Sequence, residues 1–491
     1  MSGDIAAIAL LGVAIASTGC GAATQRRAEA PSFRIADADL NRDPRAASTD
    51  EALEDLGVAA RVFDEAYAGV DGHPRTPPER DLAAARARIA ARSRWSPADL
   101  AGELRATFRR PDGHLAFGYD GTAPLHLPAW PLQAAQVSAP IIERVDATGG
   151  VWLGGDRVLL SCEAGARPVL VPSASGRFVL GVFTVSGSSC LARRESEPSA
   201  TPLELLLRAG TARSAVAGDE PVELRPGLRW GLRAETVDEI PVLAIRTFDS
   251  AARSALEQLP AIAARLRAAP SFVVDLRGNG GGNFGYAEAF VLALTDATLR
   301  SLDAREVTSV AASEGRANRA RRRLALGGVP DDARPVYDAQ IAAVEAEAEA
   351  LRAAGGERLD RVVAGGTVTG TAPGPLRSRA VFLVDRGCAS ACEMMVALAR
   401  QIPGAIVAGE NTRGGMAAGE LALFRLPRSG VTISLGTRAF RDPLGGFEET
   451  RGYLPDLWID GPDALDEARQ LARGDVNDRR GTARLRTATN R

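Results

Sequence analysis

The chain contains no lysine. All 59 of its basic residues are arginine, set against 61 acidic residues for a net charge of -2 over 491 residues. The absence removes lysine as a general base, and arginine cannot replace it because its guanidinium stays protonated at any ordinary pH. Histidine is scarce as well, with three copies, and so is cysteine, with five. The histidines lie far in sequence from the cysteines, which argues against a zinc site, and no metal or cofactor is expected. The near balance of charge argues neither for nor against an acidic or nucleic-acid partner. The one basic run, Arg316–Arg323, lacks interleaved aromatics, so no nucleic-acid partner is expected.

An apolar stretch at the N-terminus, Ile5–Ala16, has signal-peptide length and is too short to span a bilayer. Small residues follow it, and then Cys20. A basic segment before the run is missing, with Asp4 in its place. Export to a bacterial cell envelope is expected, with Cys20 as the candidate lipidation site and any membrane attachment running through that anchor. Export would permit disulfides: Cys162 and Cys190 fall in one β-rich stretch, and Cys388 and Cys392 lie close enough to bridge without having to.

The length suits two or three domains. Residues 1–20 are expected as the signal segment and 21–48 as a polar linker. Residues 49–124 carry helical periodicity, with a helix-start signal at Ser96-Pro97, and end in the turn Asp112-Gly113-His114 before an alternating strand. Residues 125–235 are β-rich, with Leu203–Leu207 as a possible helix; Gly155–Leu159 is faintly similar to a PDZ strand. Residues 236–300 and 377–470 alternate strands and helices. Between these parts, 301–376 is expected as a helical insertion, and 471–491 as a disordered tail.

The chemistry concentrates in Val381–Leu398. The run Val381-Phe382-Leu383-Val384 has the composition of a buried strand, a short turn follows, and Ser390 stands where a helix begins, with Glu393 three residues on. A serine at such a junction is an ordinary N-cap in most proteins. It is also where a nucleophilic serine sits, with backbone N–H groups aimed at its target. The glycine-rich run Asp275–Gly282 (DLRGNGGG) follows a buried strand and can bring backbone donors close to a substrate; it lacks the lysine and spacing of a phosphate loop.

Three runs occur in order: DLRGNGGG at Asp275–Gly282, CASACE at Cys388–Glu393 and GENTRGG at Gly409–Gly415, preceded by PVLAIRTF at Pro241–Phe248. Together they resemble the carboxyl-terminal-processing (tail-specific) serine peptidases. The resemblance implies an α/β fold with a crotonase/ClpP-like catalytic core. One branch of that family places its lysine base at the position of Gly415, which this chain cannot do. The other, which includes the tricorn core and a secreted chlamydial protease, uses serine, histidine and a later glutamate. That branch implies Ser390 as nucleophile, His114 as base and Glu449 as its carboxylate, with Glu448 as the neighbouring alternative and His73, in a second Asp-Gly-His, as the rival histidine. It implies an oxyanion hole from the N–H of Ala391 and of Gly280 or Gly281. The expected activity is hydrolysis of protein or peptide substrates through an acyl-enzyme. A non-catalytic ligand- or peptide-binding protein on the same fold is the alternative, and a hydrolase of small esters a further one.

Overall fold

The computed structural model describes residues 32–70, 74–110, 112–118, 231–449, 452–459 and 464–474, with the backbone of short strands between 134 and 208. The signal segment with Cys20, the rival His73 and most of the expected tail lie outside the described residues. Among the described residues no helix is long and apolar enough to cross a membrane.

Three helices open the described chain: α1 (Thr49–Ala66), α2 (Glu79–Ala90) and α3 (Pro97–Thr107). Ser48 and Glu51 cap α1 reciprocally, and Ser96 caps α3, whose first residue is Pro97. Strand β1 (Ala116–Gly118) follows. The strands between 134 and 208 form two antiparallel sheets, of five and four strands. Within them Cys162 and Cys190 stand opposite each other in register. Leu203–Leu207 is not a helix: Leu203–Leu205 pairs with Cys190–Ala192, because the alternation Leu203-Glu204-Leu205 suits a strand with a free neighbour to bond.

The chain then builds β2 (Leu232–Val237), β3 (Ile240–Ile245), α4 (Leu259–Leu266), β4 (Ser271–Asp275) and α5 (Phe284–Leu294). Next come β5 (Asp303–Thr308), α6 (Val310–Ala325), α7 (Arg334–Ala353) and β6 (Leu359–Val363). The remainder is β7 (Arg379–Val384), α8 (Ala391–Ala399), β8 (Ile406–Gly409), β9 (Ala418–Arg425), β10 (Thr432–Arg441), β11 (Leu457–Trp458) and α9 (Ala464–Arg473).

The principal sheet has the order β2-β3-β4-β7-β8-β11, parallel from β3 to β11. Both faces are covered, which explains why its central strands are apolar throughout. Phe382 and Val384 of β7 face a core with α4, α5 and α8, while Val381 and Leu383 face α9. This is an α/β architecture.

A second sheet runs β6-β5-β10-β9, and β1 joins it by pairing antiparallel with β10, Phe117 opposite Ile433. The helical layer α1–α3 packs on this sheet in one shared core with Phe63, Phe108, Phe117, Phe424 and Ile433. Buried Asp55 of α1 accepts the N–H groups of Arg428 (3.0 Å) and Ser429 (2.8 Å) at the turn between β9 and β10. The segment bearing His114 is thereby tied into the same framework as the strands after Ser390.

Two regions differ from the sequence expectation. The linker is docked from Ser32 onward: Phe33 N–H donates to Glu314 (2.5 Å) and Ile35 N–H to Asn318 (2.9 Å), both buried on α6. Those polar side chains inside α6 need partners, and the polar linker supplies them. The insertion is helical at its centre only, since β5 and β6 at its ends belong to the second sheet.

Candidate active site

Ser390 follows β7 across a five-residue turn and caps α8, with φ 57° and ψ -120°. A side chain rarely adopts that conformation, and it persists only where the surroundings over-determine it. Here they do. Asp385 Oδ1 accepts the N–H groups of Gly278 and Gly387, each at 2.8 Å, and Ala389 N–H donates to the Asn279 carbonyl at 3.0 Å. Cys388 and Cys392 are bridged, so a covalent link spans the residues on either side of Ser390.

The glycine-rich loop lies directly against this turn. Gly281 has φ +92°, and a Cβ there would meet Ala389 O at 2.6 Å, Ser390 Cβ at 2.8 Å and Ala391 N at 3.0 Å. Only glycine lets the loop approach so closely. Gly281 N–H donates to Asn279 Oδ1 at 2.9 Å and is therefore committed within the loop. Gly280 has open space around its Cα. Ala391 is the first residue of α8, where a helix leaves its N–H groups without intrahelical acceptors.

His114 is the one histidine among the described residues, and it is buried at 7% exposure. The turn before it is fixed by Asp112, whose carboxylate accepts the N–H groups of His114 (2.7 Å) and Leu115 (3.2 Å) and the Tyr67 hydroxyl (2.9 Å). His114 Cε1 lies 3.9 Å from where a Cβ on Gly415 would stand. The imidazole thus borders the position at which the lysine-dependent branch of the resembled family carries its base. Burial, with added repulsion from Arg319 and Arg413, lowers its pKa to about 4 and keeps the ring neutral. Its Nδ1 is buried and has no hydrogen-bond partner among the described residues.

Glu449 stands beside this turn. Its Oε1 accepts Gly113 N–H and its Oε2 accepts Ala417 N–H, each at 2.8 Å. Burial raises its pKa well above the usual carboxylate range, the nearby Asp112 charge adds to the rise, and the two amide donors oppose it. Both oxygens are engaged by backbone, next to the histidine rather than on its ring. Glu448 instead lies exposed on a short strand paired with Gly452-Tyr453.

Glu393 is the residue whose importance the sequence concealed. Fully buried, it accepts the N–H of Ser390 (3.0 Å), the Thr412 hydroxyl (2.7 Å), and the N–H groups of Gly414 (2.6 Å) and Gly415 (2.9 Å). It joins the turn of Ser390 to the loop that borders His114. Burial raises its pKa while the converging donors pull it back. Its spacing from Ser390 was visible as a capping box; the other three bonds cross to a loop about twenty residues away and leave no local signal.

Residues 239–459 match the sequence profile of peptidase family S41. No curated protein sequence matches the chain. Among solved structures it is similar to mature CPAF, at 14% identity over 87% of this chain and 98% of that one, with a TM-score of 0.44. It is also similar to the photosystem II D1 C-terminal processing protease, at 17% identity over 86% and 97% with a TM-score of 0.35. The tricorn protease aligns at 10% identity over 87% of this chain and 37% of that one, with a TM-score of 0.33. Such scores do not by themselves define a fold, and the family assignment rests on the profile match. The chain carries a peptidase family S41 domain, of serine type, over residues 239–459.

Proposed function

We propose that the chain is an exported serine endopeptidase in which Ser390 attacks the scissile carbonyl, His114 is the base and Glu449 the carboxylate that supports it. The observation that supports this reading is the strained Ser390 with the glycine loop packed on its Cβ, together with His114 bordering Gly415 of the loop that Glu393 bonds. A serine hydroxyl needs a neighbouring base, and His114, held neutral by burial, can accept its proton. The oxyanion would be received by the N–H groups of Ala391 and Gly280, while Gly281 provides the close approach. His114 then protonates the leaving amine, and water deacylates the serine by the same route in reverse. Glu449, beside the turn that carries His114, is the carboxylate that would balance the imidazolium as it forms, its backbone donors Gly113 and Ala417 opposing the effect of burial on its charge. Export rests on the apolar segment before Cys20, and the mature envelope protein would begin at that cysteine.

Single substitution of Ser390, His114 and Glu449 to alanine tests the assignment, with an unstructured protein such as casein as substrate. Internal cleavage by wild type and its loss, by about a hundredfold or more, in the Ser390 and His114 variants is expected. Undiminished cleavage by Ser390→Ala would sink the reading.

A further inference from the structure

Asp249 joins the glycine loop to the insertion. It follows Phe248, whose N–H donates to the Gly281 carbonyl at 2.8 Å and whose carbonyl accepts Asn283 N–H at 2.8 Å. Gly282 lies so close that a Cβ on it would collide with the backbone of Phe248 and Asp249. Phe248 and Asp249 thus fix the glycine loop, and Gly281 of that loop packs on Ser390 Cβ and Ala391 N. The carboxylate of Asp249 is held from the insertion. Its Oδ1 accepts the Tyr337 hydroxyl at 2.6 Å and Ala251 N–H at 2.8 Å, and its Oδ2 pairs with Arg323 at 3.7 Å. Tyr337 is on α7 and Arg323 on α6, so both helices reach this one side chain. Tyr337 is buried in a small cluster with Val329 and Ala333. A phenol donating to a carboxylate is among the stronger side-chain hydrogen bonds.

The same helices are anchored to the sheet that carries His114. A Cβ on Gly315 of α6 would come within 2.7 Å of Ala422 and Phe424 of β9, and Asn318 donates to the Leu423 carbonyl at 3.1 Å. Strand β9 pairs with β10 and β10 with β1, whose Ala116 lies two residues from His114. Contacts therefore run from His114 through β1, β10, β9 and the helix pair to Asp249, and from there through the glycine loop to Ser390. The core beneath Ser390 and the core beneath β1 are separate clusters, so polar joints between them set their spacing. Glu393 makes one such joint and Asp249 a second. We propose that Asp249 is a positioning residue for the peptidase reaction: gripped by Tyr337 and Arg323, it couples the insertion to the glycine loop and keeps the oxyanion donor and Ser390 in register with His114. The inference rests on the peptidase reading above, and it gives the insertion a part in catalysis without a reacting group. An oxyanion donor acts on the transition state more than on bound substrate, and a misplacement of about 1 Å costs on the order of a hundredfold in rate.

The test measures kcat and KM on quenched fluorescent casein for the full chain and for Tyr337→Phe, Asp249→Ala, Asp249→Asn and the double variant Tyr337→Phe/Asp249→Ala, each shown to be folded. Tyr337→Phe removes only the hydroxyl and leaves the ring in its cluster. The expected kcat is lower by about tenfold in Tyr337→Phe and by about tenfold to a hundredfold in Asp249→Ala, with KM within about twofold in both. The double variant should be no slower than Asp249→Ala, because both changes break the same joint. Asp249→Asn, whose side-chain oxygen still accepts from Tyr337 and Ala251, should recover most of the rate. A wild-type kcat in Tyr337→Phe, a raised KM at unchanged kcat, losses that multiply in the double variant, or an Asp249→Asn as slow as Asp249→Ala overturns the proposal. Fluorophosphonate labelling keeps the two readings apart: a folded wild type that neither cleaves casein nor labels at Ser390 contradicts the peptidase reading instead.

Discussion

Alanine in place of Gly281 is the sharpest perturbation of the proposed centre. The residue has φ +92°, and the added methyl would sit 2.6 Å from Ala389 O, 2.8 Å from Ser390 Cβ and 3.0 Å from Ala391 N. Two of these neighbours are backbone atoms of a turn fixed by the disulfide and by Asp385, so they cannot yield cheaply. The left-handed backbone costs about 1–2 kcal/mol for a residue with a Cβ. Forcing extra volume into a packed site costs about 1–3 kcal/mol more. The expected loss is therefore about 2–5 kcal/mol, a large share of the 5–15 kcal/mol typical of a folded protein. The clash falls on the proposed nucleophile and oxyanion donor, so reactivity should fall further than stability requires, by about a hundredfold or more. Gly280→Ala is the control. A Cβ there meets nothing within 4 Å, and stability should change by less than about 0.5 kcal/mol. Thermal unfolding and the rate of fluorophosphonate labelling of folded protein measure the two quantities. Wild-type labelling by Gly281→Ala, or equal damage from both substitutions, would refute the reasoning.

Three further outcomes follow from the same geometry. Glu393→Gln replaces one carboxylate oxygen with a donor facing two donors, at about 1–3 kcal/mol each; a lower denaturant midpoint and loss of Ser390 labelling are expected. Reducing the Cys388–Cys392 bridge, or replacing both cysteines with serine, should slow labelling about tenfold to a hundredfold by loosening the turn; an unchanged rate would show that the bridge does not hold Ser390. The third concerns acid. His114 titrates near 4 in the folded protein and near 6.5 when unfolded, so between these values the unfolded chain binds more protons. Its contribution to stability is complete above about 6.5 and is lost as pH falls through that window, while labelling by the folded protein should fall near pH 4. An acid limb near pH 6.5 would contradict a buried neutral base.

Local signals carried much of the architecture. The apolar run at Val381–Val384 marks the central strand, and the Ser390-Glu393 spacing marks the start of α8, because both features are encoded within a few residues. Asp112-Gly113-His114 marks a turn for the same reason. What stayed hidden depends on distant partners. Glu393 shows one of its four bonds in the sequence, since Thr412, Gly414 and Gly415 reach it only after β8 has been laid beside β7. The closeness of Cys388 and Cys392 allowed a bridge without deciding it, and the fold decides it. The linker looked free because its polar composition suits solvent, yet the same backbone groups satisfy Glu314 and Asn318 inside α6.

The most direct test of the central claim is labelling of the purified full chain with a fluorophosphonate probe, followed by mapping of the modified residue. Wild type, Ser390→Ala and His114→Ala are compared after each is shown to be folded. The account predicts a single adduct on Ser390 in wild type, none in Ser390→Ala, and a rate reduced by about a hundredfold or more in His114→Ala. A folded wild type that takes no label, or one labelled at full rate without His114, would contradict the assignment of Ser390 and His114 as nucleophile and base.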